Sequence, residues 1–419
     1  MGQKEQLRKA FDKWGLTWLK NWKRVLILVA AGLIIGVLAA LAEVVFFYGL
    51  RFSIRSKEWL GNWSFLLMPF LGLLVVWIFQ RFGGPCSKGM NLVFEVARGK
   101  FLEIPLKNLG LAMVGTWLSH LAGASVGREG VALQLGATVS NFLERFFPKM
   151  ERKKTIFIVT GMAAGFAGLF GTPFTATFFA LEVFRTGSVQ LVAMLPALTA
   201  AFTASSVSHL FGIVKEAMPL DFSLLAPNGI SWWQIIIFGV IFGLIGGLFA
   251  QCIHLAKHSF AKWFKNPYLR VAVIGTILAV LMALFHGRYS NLGGNLIEPA
   301  VEGGVIHWYD WILKFAFSIC FLSCGFMGGE VTPLFTTGAC LGCVMAPLMG
   351  LDPTIGAALG YAAVFGAGTN TLVAPILIGM EIFGWSTFPV MFLVCIIGYI
   401  FNGNQSIYEL QTIVPDEGA

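Results

Sequence analysis

The chain has 419 residues, of which 57% are hydrophobic and only 12% are charged. Soluble domains carry about twice that charged fraction, so the composition excludes an ordinary water-soluble enzyme and indicates an all-α polytopic membrane protein. The formal net charge of +8 comes from basic residues that lie between apolar runs, which is typical of the positive-inside bias and argues against nucleic-acid binding.

The N-terminal residues 1–24 alternate Lys and Arg with Leu, Phe and Trp. This pattern predicts an amphipathic helix on the membrane surface, with the N-terminus in the cytoplasm. The apolar run from Val25 to Leu50 is longer than the apolar part of a signal peptide and is long enough to span. We therefore expect a multi-pass protein of the cell membrane, and specifically of a bacterial inner membrane.

The rest of the chain divides into a first membrane repeat (25–212), a polar linker (213–231), a second membrane repeat (232–411) and a C-terminal tail (412–419). Many apolar pieces are shorter than the roughly 20 residues that a helix needs to span, which predicts broken helices that are buried in protein or line a cavity. The predicted pieces are 25–50, 65–82, 106–121, 130–148, 155–170, 173–185, 190–212, 232–258, 268–286, 311–327, 331–349, 354–368, 371–384, 387–401 and a short helix near 402–408, with a loop at 287–310.

The stretch AGASVGREGVALQLGA at residues 122–137 places two charges, Arg128 and Glu129, among glycines and apolar residues. An ionisable residue inside a membrane segment is costly and indicates function. Glu129 lies at the start of a helix, where free N–H groups and the dipole favour an anion. We expect Glu129 to be a gate that competes with a free anion for one site, and the alternative is a carboxylate that only caps the helix.

The two halves repeat. A shift of 199 residues aligns 161–184 with 360–383 and matches seven positions, including Gly161 with Gly360 and Glu182 with Glu381. A small change of register aligns Glu129 with Glu330, and each begins a helix that carries Gly-Ala further on. Paired interrupted segments in two halves indicate a transport site at the interface between repeats. We expect structural or interfacial roles for Glu182 and Glu381.

These residues resemble the CLC family of chloride channels and chloride/proton antiporters. The resemblance rests on GREG at 127–130, GTPF and ALE within 171–182, and GGEVTP at 328–333. It implies the CLC-like fold of two inverted-topology repeats with broken and re-entrant helices. It also implies a homodimer with one pore in each subunit, in which Glu129 is the gating glutamate that carries protons.

Departures from the usual CLC pattern point to the fluoride/proton antiporter branch. The sequence has SKGMN at 87–91 in place of a serine-bearing loop, Val131 in place of the proline of GREGP, and Glu330 with Thr332 in place of a Phe-rich pattern. The ordinary antiporters carry a second proton glutamate directly after the position that matches Glu182. Val183 stands there in this chain, so their inner proton route does not transfer to it.

The resemblance and the helix-start pattern together give a candidate anion site. Backbone N–H groups at helix starts can replace the water of a small, hard anion such as fluoride, and the Tyr408 hydroxyl adds a donor. Met90 either removes a chloride-suited donor or only fills space. Glu330 is either a second carboxylate close to the site, so that one of the two carboxyls stays protonated and can donate to fluoride, or a cap of its helix. Arg128 pairs with an acid or faces a vestibule. The candidate anion-binding residues are Met90, Asn91, Gly127, Arg128, Gly130, Val131, Glu330, Val331, Thr332 and Tyr408.

The expected function is secondary active export of fluoride in exchange for protons, and the alternative is a chloride channel or chloride/proton antiporter of the same fold. We expect fluoride, protons and membrane lipid as partners, and no cofactor, metal or nucleic acid. His254 and His258 have no carboxylate close to them in sequence, and no nucleophile–base spacing or phosphate-binding motif indicates an enzyme.

Overall fold

The computed structural model describes residues 3–148, 150, 152–214, 217–222 and 229–413, with side chains from residue 22 onward. The side chains of the predicted amphipathic segment, parts of the linker 213–231, and most of the tail 412–419 lie outside the described residues. The described residues form sixteen α-helices, eight on each side of the linker. This confirms the expected all-α fold of two repeats.

The first repeat contains the longest helix of the chain, which runs without a break through the predicted boundary at residue 24. Its eight helices are α1 Gln3–Leu60, α2 Trp63–Ile78, α3 Met90–Ala97, α4 Lys107–Leu121, α5 Glu129–Glu144, α6 Lys153–Phe170, α7 Pro173–Glu182 and α8 Met194–Leu210.

The second repeat has the same order of long and short helices. Its helices are α9 Trp232–Trp263, α10 Pro267–Leu284, α11 Gly294–Glu302, α12 Asp310–Cys324, α13 Val331–Leu348, α14 Pro353–Thr369, α15 Val373–Phe383 and α16 Phe388–Phe401. Because the halves match helix by helix, α5 corresponds to α13 and α7 to α15.

Short irregular turns interrupt the apolar runs. A π-helical turn at Phe79–Gly83 and a 3-10 turn at Gly84–Lys88 separate α2 from α3, as the glycines there predict. Further 3-10 turns precede α8 and α16, at Leu191–Ala193 and Trp385–Thr387. Gly84 and Gly89 have positive φ angles of 53° and 56°, which favour glycine.

Two local predictions were wrong. The segment 287–310, predicted as a loop, contains α11, because its apolar residues Leu296, Ile297, Ala300 and Val301 share one buried helical face. The segment 402–408, predicted as a helix, consists of turns. It leads instead to a two-residue strand, β2 (Thr412–Ile413), which pairs in parallel with β1 (Arg185–Thr186).

Seven of the described helices or helical runs are long and apolar enough to cross a membrane. Two further apolar helices are shorter. The helices α5, α13 and α14 are buried along most of their length. Protein therefore surrounds the ends of the broken helices, where unpaired backbone N–H and C=O groups could not face lipid. The chain is a multi-pass membrane protein.

Paired glycines show that the two repeats pack alike. An ideal Cβ built at Gly136 of α5 would lie 2.0 Å from the carbonyl oxygen of Gly161 in α6. An ideal Cβ at Gly338 of α13 would lie 2.0 Å from the carbonyl oxygen of Gly360 in α14. Only glycine permits such close backbones, so the aligned glycines have one packing function in both halves.

Glu182 and Glu381 each cap a helix of the opposite repeat. Glu182, at the end of α7, accepts hydrogen bonds from the Val373 backbone N–H at 3.0 Å and the Ala374 N–H at 3.3 Å, where α15 starts. Glu381, in α15, accepts from the Thr175 N–H at 2.8 Å near the start of α7. The two carboxylates thus satisfy orphan helix donors and join the repeats.

Candidate functional site

The site begins where two helix starts from opposite repeats meet. The Gly127 N–H donates to the Gly329 carbonyl at 2.7 Å, and the Gly329 N–H donates to the Gly127 carbonyl at 2.8 Å. This antiparallel bridge lies two residues before the first residues of α5 and α13. Their positive ends therefore lie side by side, which is the convergence of helix N-termini that the repeat predicts.

Glu129 lies across this junction and is 1% exposed. Its Oε2 accepts hydrogen bonds from the Thr332 backbone N–H at 2.9 Å, from the Thr332 hydroxyl, and from the Arg128 N–H at 3.1 Å. The carboxylate therefore caps the helix of the other repeat and also accepts from the N-cap residue of its own helix. These three donors form the kind of pocket that holds a free anion at a helix N-terminus.

Arg128 is the nearest cation to this carboxylate. Its Nε lies 4.0 Å from Glu129 Oε1, and its guanidinium lies over the Phe170 ring at 5.0 Å from the ring centre. Among the described residues, Glu129 Oε1 has no hydrogen-bond partner. The Oε2 atom thus accepts three hydrogen bonds, whereas the Oε1 atom has the Arg128 guanidinium 4.0 Å away.

Two cavities are lined by residues of the Glu129 junction. The first, here the Tyr408 cavity, has a volume of about 200 Å³ and is lined by residues that include Gly130, Glu330 and Tyr408. The second, here the Arg128 cavity, has a volume of about 290 Å³ and is lined by residues that include Arg128 and Thr332. The two sequence neighbours of Glu129 therefore line one cavity each, Gly130 the first and Arg128 the second.

The helices α1 and α2 run in opposite directions. Near the end of α1, Lys57 lies 3.3 Å from an ideal Cβ on Gly123. A two-residue turn then reverses the chain into α2, which leads back to Ser87 and Lys88 at the Tyr408 cavity.

The Tyr408 side chain presents an unused donor to the first cavity. Its ring is 4% exposed and stacks on Phe94 at 5.6 Å, and its hydroxyl has no hydrogen-bond partner among the described residues. A buried hydroxyl without an acceptor is costly, and an anion in the cavity would supply one. This is the position that the sequence predicts for the tyrosine.

Met90 and Asn91, at the start of α3, also line the Tyr408 cavity. Met90 supplies no hydrogen-bond donor there. The Asn91 amide donates to the Glu409 carboxylate at 3.1 Å, so it is already engaged by a carboxylate at the cavity. Val131 and Val331 are buried apolar residues in the first turns of α5 and α13, and the Val131 N–H donates to the Arg128 carbonyl at 3.2 Å.

Glu330 directly precedes α13 and lines the Tyr408 cavity. Its carboxylate forms an ion pair with Lys257 of α9, with the two atoms 3.3 Å apart. The sequence indicated Glu330 as a site residue but did not indicate Lys257. The apolar pattern of α9 does not distinguish a lysine that faces a cavity from one at the lipid interface.

A second omission concerns His254, for which the sequence suggested no nearby carboxylate. Glu409, distant in sequence, lies 3.3 Å from its Nδ1. Among the described residues, no group of three or more His, Cys, Asp or Glu could hold a metal ion. Taken together, inverted repeats, converging helix starts and a buried carboxylate between two cavities define a membrane transport protein for small ions.

Comparison with known sequences identifies the family. The model of the voltage gated chloride channel family matches residues 71–403, and the chain belongs to this CLC family. It is 32% identical, over 98% of its length and 91% of the relative, to a protein named chloride/fluoride channel protein from Pseudomonas syringae pathovar tomato. The proteins of this family are channels and transporters, so the chain is not expected to catalyse a covalent reaction.

Solved structures show the same fold. The crystal structure of a CLC-type fluoride/proton antiporter superposes with a TM-score of 0.89 at 43% identity, covering 92% of this chain and 98% of that one. A slow cyanobacterial chloride/proton antiporter superposes with a TM-score of 0.76 at 19% identity, covering 90% of this chain and 94% of that one. The first likeness extends to sequence, and the second shows the fold alone. The resemblance drawn from the motifs is confirmed.

Proposed function

We propose that the protein exports fluoride in exchange for protons and that Glu129 is its gating glutamate. The observation that carries the proposal is the position of the Glu129 carboxylate, which occupies three hydrogen-bond donors between the two cavities. A negatively charged side chain held this way stands where a free anion would bind. When it takes a proton it loses its attraction for these donors, which become available to an anion.

The donors around this position suit fluoride. Fluoride is small and strongly hydrated, so a site must offer closely spaced N–H and O–H groups to replace its water. The Arg128 and Thr332 N–H groups and the Thr332 hydroxyl are such donors. The Tyr408 hydroxyl, which has no partner among the described residues, adds a donor in the Tyr408 cavity. Met90 adds none. The similarity to a fluoride/proton antiporter at 43% identity supports the same substrate.

Burial and weak ion pairing single out Glu129 as the proton carrier. Glu330 forms an ion pair with Lys257 at 3.3 Å. Glu129 is 1% exposed, and among the described residues its ion pair is with Arg128 at 4.0 Å. Because burial disfavours a charged carboxylate, Glu129 is the group that takes and releases the transported proton in this proposal.

We further propose a homodimer in a bacterial inner membrane with the N-terminus in the cytoplasm. The basic residues before the first span favour that orientation, which makes the Tyr408 cavity the cytoplasmic one. Apolar side chains of α8 and α16, such as Phe202 and Phe392, are more than 40% exposed and form a candidate dimer surface. Light scattering in detergent should give twice the chain mass of 45.6 kDa.

The test of function is efflux from liposomes. Vesicles that contain the purified protein and potassium fluoride should release fluoride when the membrane potential is clamped, with protons entering in parallel. Empty vesicles are the control. If no fluoride leaves, the proposal is wrong.

A chloride channel or chloride/proton antiporter is the second candidate, because a relative at 32% identity is named a chloride/fluoride channel protein. The same vesicles loaded with potassium chloride decide between the two. Chloride efflux faster than fluoride efflux would favour the second candidate. Fluoride efflux without proton entry would indicate a channel.

A further inference from the structure

A third cavity borders Arg128 and is formed in large part by α1. This cavity, here the Arg51 cavity, has a volume of about 320 Å³, and its lining includes Arg51, Arg55, Glu58 and Arg128. The lining residues of α1 recur at three- and four-residue spacing near the end of that helix, so one helical face forms a wall of the cavity. Arg128 lines both this cavity and the Arg128 cavity.

Arg128 connects the Arg51 cavity to the Glu129 carboxylate. Arg128 is 7% exposed, its Nε lies 4.0 Å from Glu129 Oε1, and its backbone N–H donates to Oε2 at 3.1 Å. One residue therefore lies between this cavity and the group proposed as the gate. An anion released from the donors of Glu129 would pass a cation on its way into either of the two cavities that Arg128 lines.

Arg51 and Arg55 leave their positive charge to the Arg51 cavity. Both are exposed, and among the described residues neither guanidinium has an ion-pair or hydrogen-bond partner. They are four residues apart on one helix, where like charges are destabilising, and they precede the last turn, in which the helix dipole favours a cation. Basic residues such as Lys23 and Arg24 stand before the span as well, and the positive-inside bias accounts for one end only. The stability and orientation of α1 therefore do not explain the two arginines.

The Arg128 cavity has the opposite balance of charge. Its described lining includes Glu298 and Glu302, one turn apart on α11, and no cation other than Arg128. The Arg51 cavity has two arginines in addition to Arg128, against Glu58 alone. An anion beside Arg128 therefore meets a positive lining on one side and an acidic lining on the other. Since clefts lined by charge concentrate ions of the opposite sign, the difference favours the Arg51 cavity for an anion.

We propose that the Arg51 cavity is an anion vestibule through which fluoride passes between water and the Glu129 site, and that Arg51 and Arg55 direct the anion there rather than into the Arg128 cavity. The two guanidinium groups are exposed, so they raise the local concentration of the anion without removing its water. Glu298 and Glu302 repel the same anion from the other cavity that borders Arg128.

Chemical modification of introduced cysteines measures the charge of each cavity without transport. Ile54→Cys places a thiol in the Arg51 cavity, and Gly294→Cys places one in the Arg128 cavity. Both positions are partly exposed. Each variant is treated with an anionic and a cationic methanethiosulfonate at low ionic strength, and the ratio of the two rates is compared with that for a free thiol. We expect the ratio to favour the anionic reagent at residue 54 and the cationic reagent at residue 294. The chain without either substitution gives the background from its seven cysteines.

Removal of the two arginines should change this ratio. In the Ile54→Cys chain, Arg51→Gln together with Arg55→Gln should lower the anionic-to-cationic ratio by on the order of 10-fold, and added salt should reduce the difference. Arg24→Gln, which changes an exposed arginine near the other end of α1, is the matched control and should leave the ratio unchanged. Equal ratios with and without the two arginines would overturn the vestibule. Failure of both reagents to react would also overturn it, because another group, such as a lipid headgroup, would then cover the cavity.

The transport part of this inference rests on the proposed fluoride/proton exchange and is measured in liposomes. Arg51→Gln together with Arg55→Gln should slow exchange at low fluoride by on the order of 10-fold and leave the rate at saturating fluoride unchanged, because the arginines concentrate the anion. Glu298→Gln together with Glu302→Gln should not slow it. Thermal unfolding in detergent shows that each variant is folded before rates are compared.

Two results would overturn the route. One is a wild-type rate at low fluoride in the arginine variant, and the other is an equal loss in the variant that lacks Glu298 and Glu302. If no fluoride moved but the cysteine ratios differed as expected, the proposed function would fail while the anion vestibule stood.

Discussion

The carboxylate of Glu129 accepts a hydrogen bond from the Thr332 backbone N–H at 2.9 Å, although the two residues belong to opposite repeats. The sequence left two interpretations of Glu129 open, a gate and a helix cap, and this contact is compatible with both. Glu129 is a helix cap, and two of its three donors belong to Thr332 at the start of α13 in the other repeat. A cap that crosses between repeats can leave its position without unravelling its own helix, which is what a gate requires.

Replacement of Glu129 by glutamine should abolish proton coupling. The amide oxygen can still accept from Thr332, so the fold should remain, but the side chain can no longer take up a proton. Fluoride efflux and proton entry measured in the same vesicles should become independent. Glu144→Gln, at the opposite end of α5, is the control and should stay coupled. Coupled exchange in Glu129→Gln would contradict the gate.

The Thr332 hydroxyl is a donor to Glu129 that valine lacks at nearly the same volume. Loss of one hydrogen bond to a charged group costs roughly 1.5–3 kcal/mol. Thr332→Val should therefore destabilise the closed gate and change the fluoride dependence of transport. Thr337→Val is the matched control, because the Thr337 hydroxyl is buried without a partner among the described residues. Equal transport by the two variants would argue against a role for this donor.

Tyr408→Phe should weaken fluoride binding without weakening the fold. The hydroxyl has no acceptor among the described residues, so its removal costs the folded protein no hydrogen bond. A hydrogen bond to an anion is worth roughly 1.5–3 kcal/mol, or about 10- to 100-fold in affinity. Calorimetric titration with fluoride measures the affinity, and thermal unfolding measures the stability. A large fall in melting temperature with unchanged affinity would show that the hydroxyl is structural.

Alanine at Gly136 or Gly338 should prevent proper folding, and equally so in the two repeats. Each new Cβ would lie 2.0 Å from a carbonyl oxygen, so the helices would have to separate. The cost should exceed the roughly 1–3 kcal/mol typical of overpacking. The yield of monodisperse protein after detergent extraction measures the effect. Gly110→Ala, where a Cβ would have no atom within 4 Å, is the control and should be well tolerated.

Glu43→Gln should be nearly neutral for stability. Glu43 of α1 is completely buried, and neither carboxyl oxygen has a hydrogen-bond partner among the described residues. An unpaired buried charge is so costly that the side chain must be uncharged, and glutamine has the same shape and no charge. The melting temperature should change by less than about 2–4 °C, equivalent to about 1 kcal/mol. A large fall would mean that Glu43 is ionised and held by a partner.

Sequence alone predicted most of the scaffold, because broken apolar runs and paired glycines are local signals. The starts of α5 and α13 and the split between α6 and α7 follow directly from the glycines and prolines there. It misplaced α11 and the segment after α16, where short segments have weak periodicity. A two-residue parallel pairing between β1 and β2 has no local signature at all.

The candidate site was predicted by residue but not by contact. Glu129 and Thr332 were both named, but their hydrogen bond joins positions 203 residues apart. The partners of Glu330 and His254, which are Lys257 and Glu409, were missed for the same reason. The periodicity of one segment does not predict which side chain of a distant segment will contact it. These pairs can therefore be identified only from the packed structure.

The two hydrogen bonds between Gly127 and Gly329 limit how this protein can work. They join the two halves beside the Glu129 carboxylate, and sliding one half past the other would break both bonds. If Glu129 is the gate, as proposed, access can switch by rotation of that one side chain while the surrounding helices stay in place. Each cycle would then need the rotation of a few bonds and the transfer of a proton, and no rearrangement of the rest of the chain.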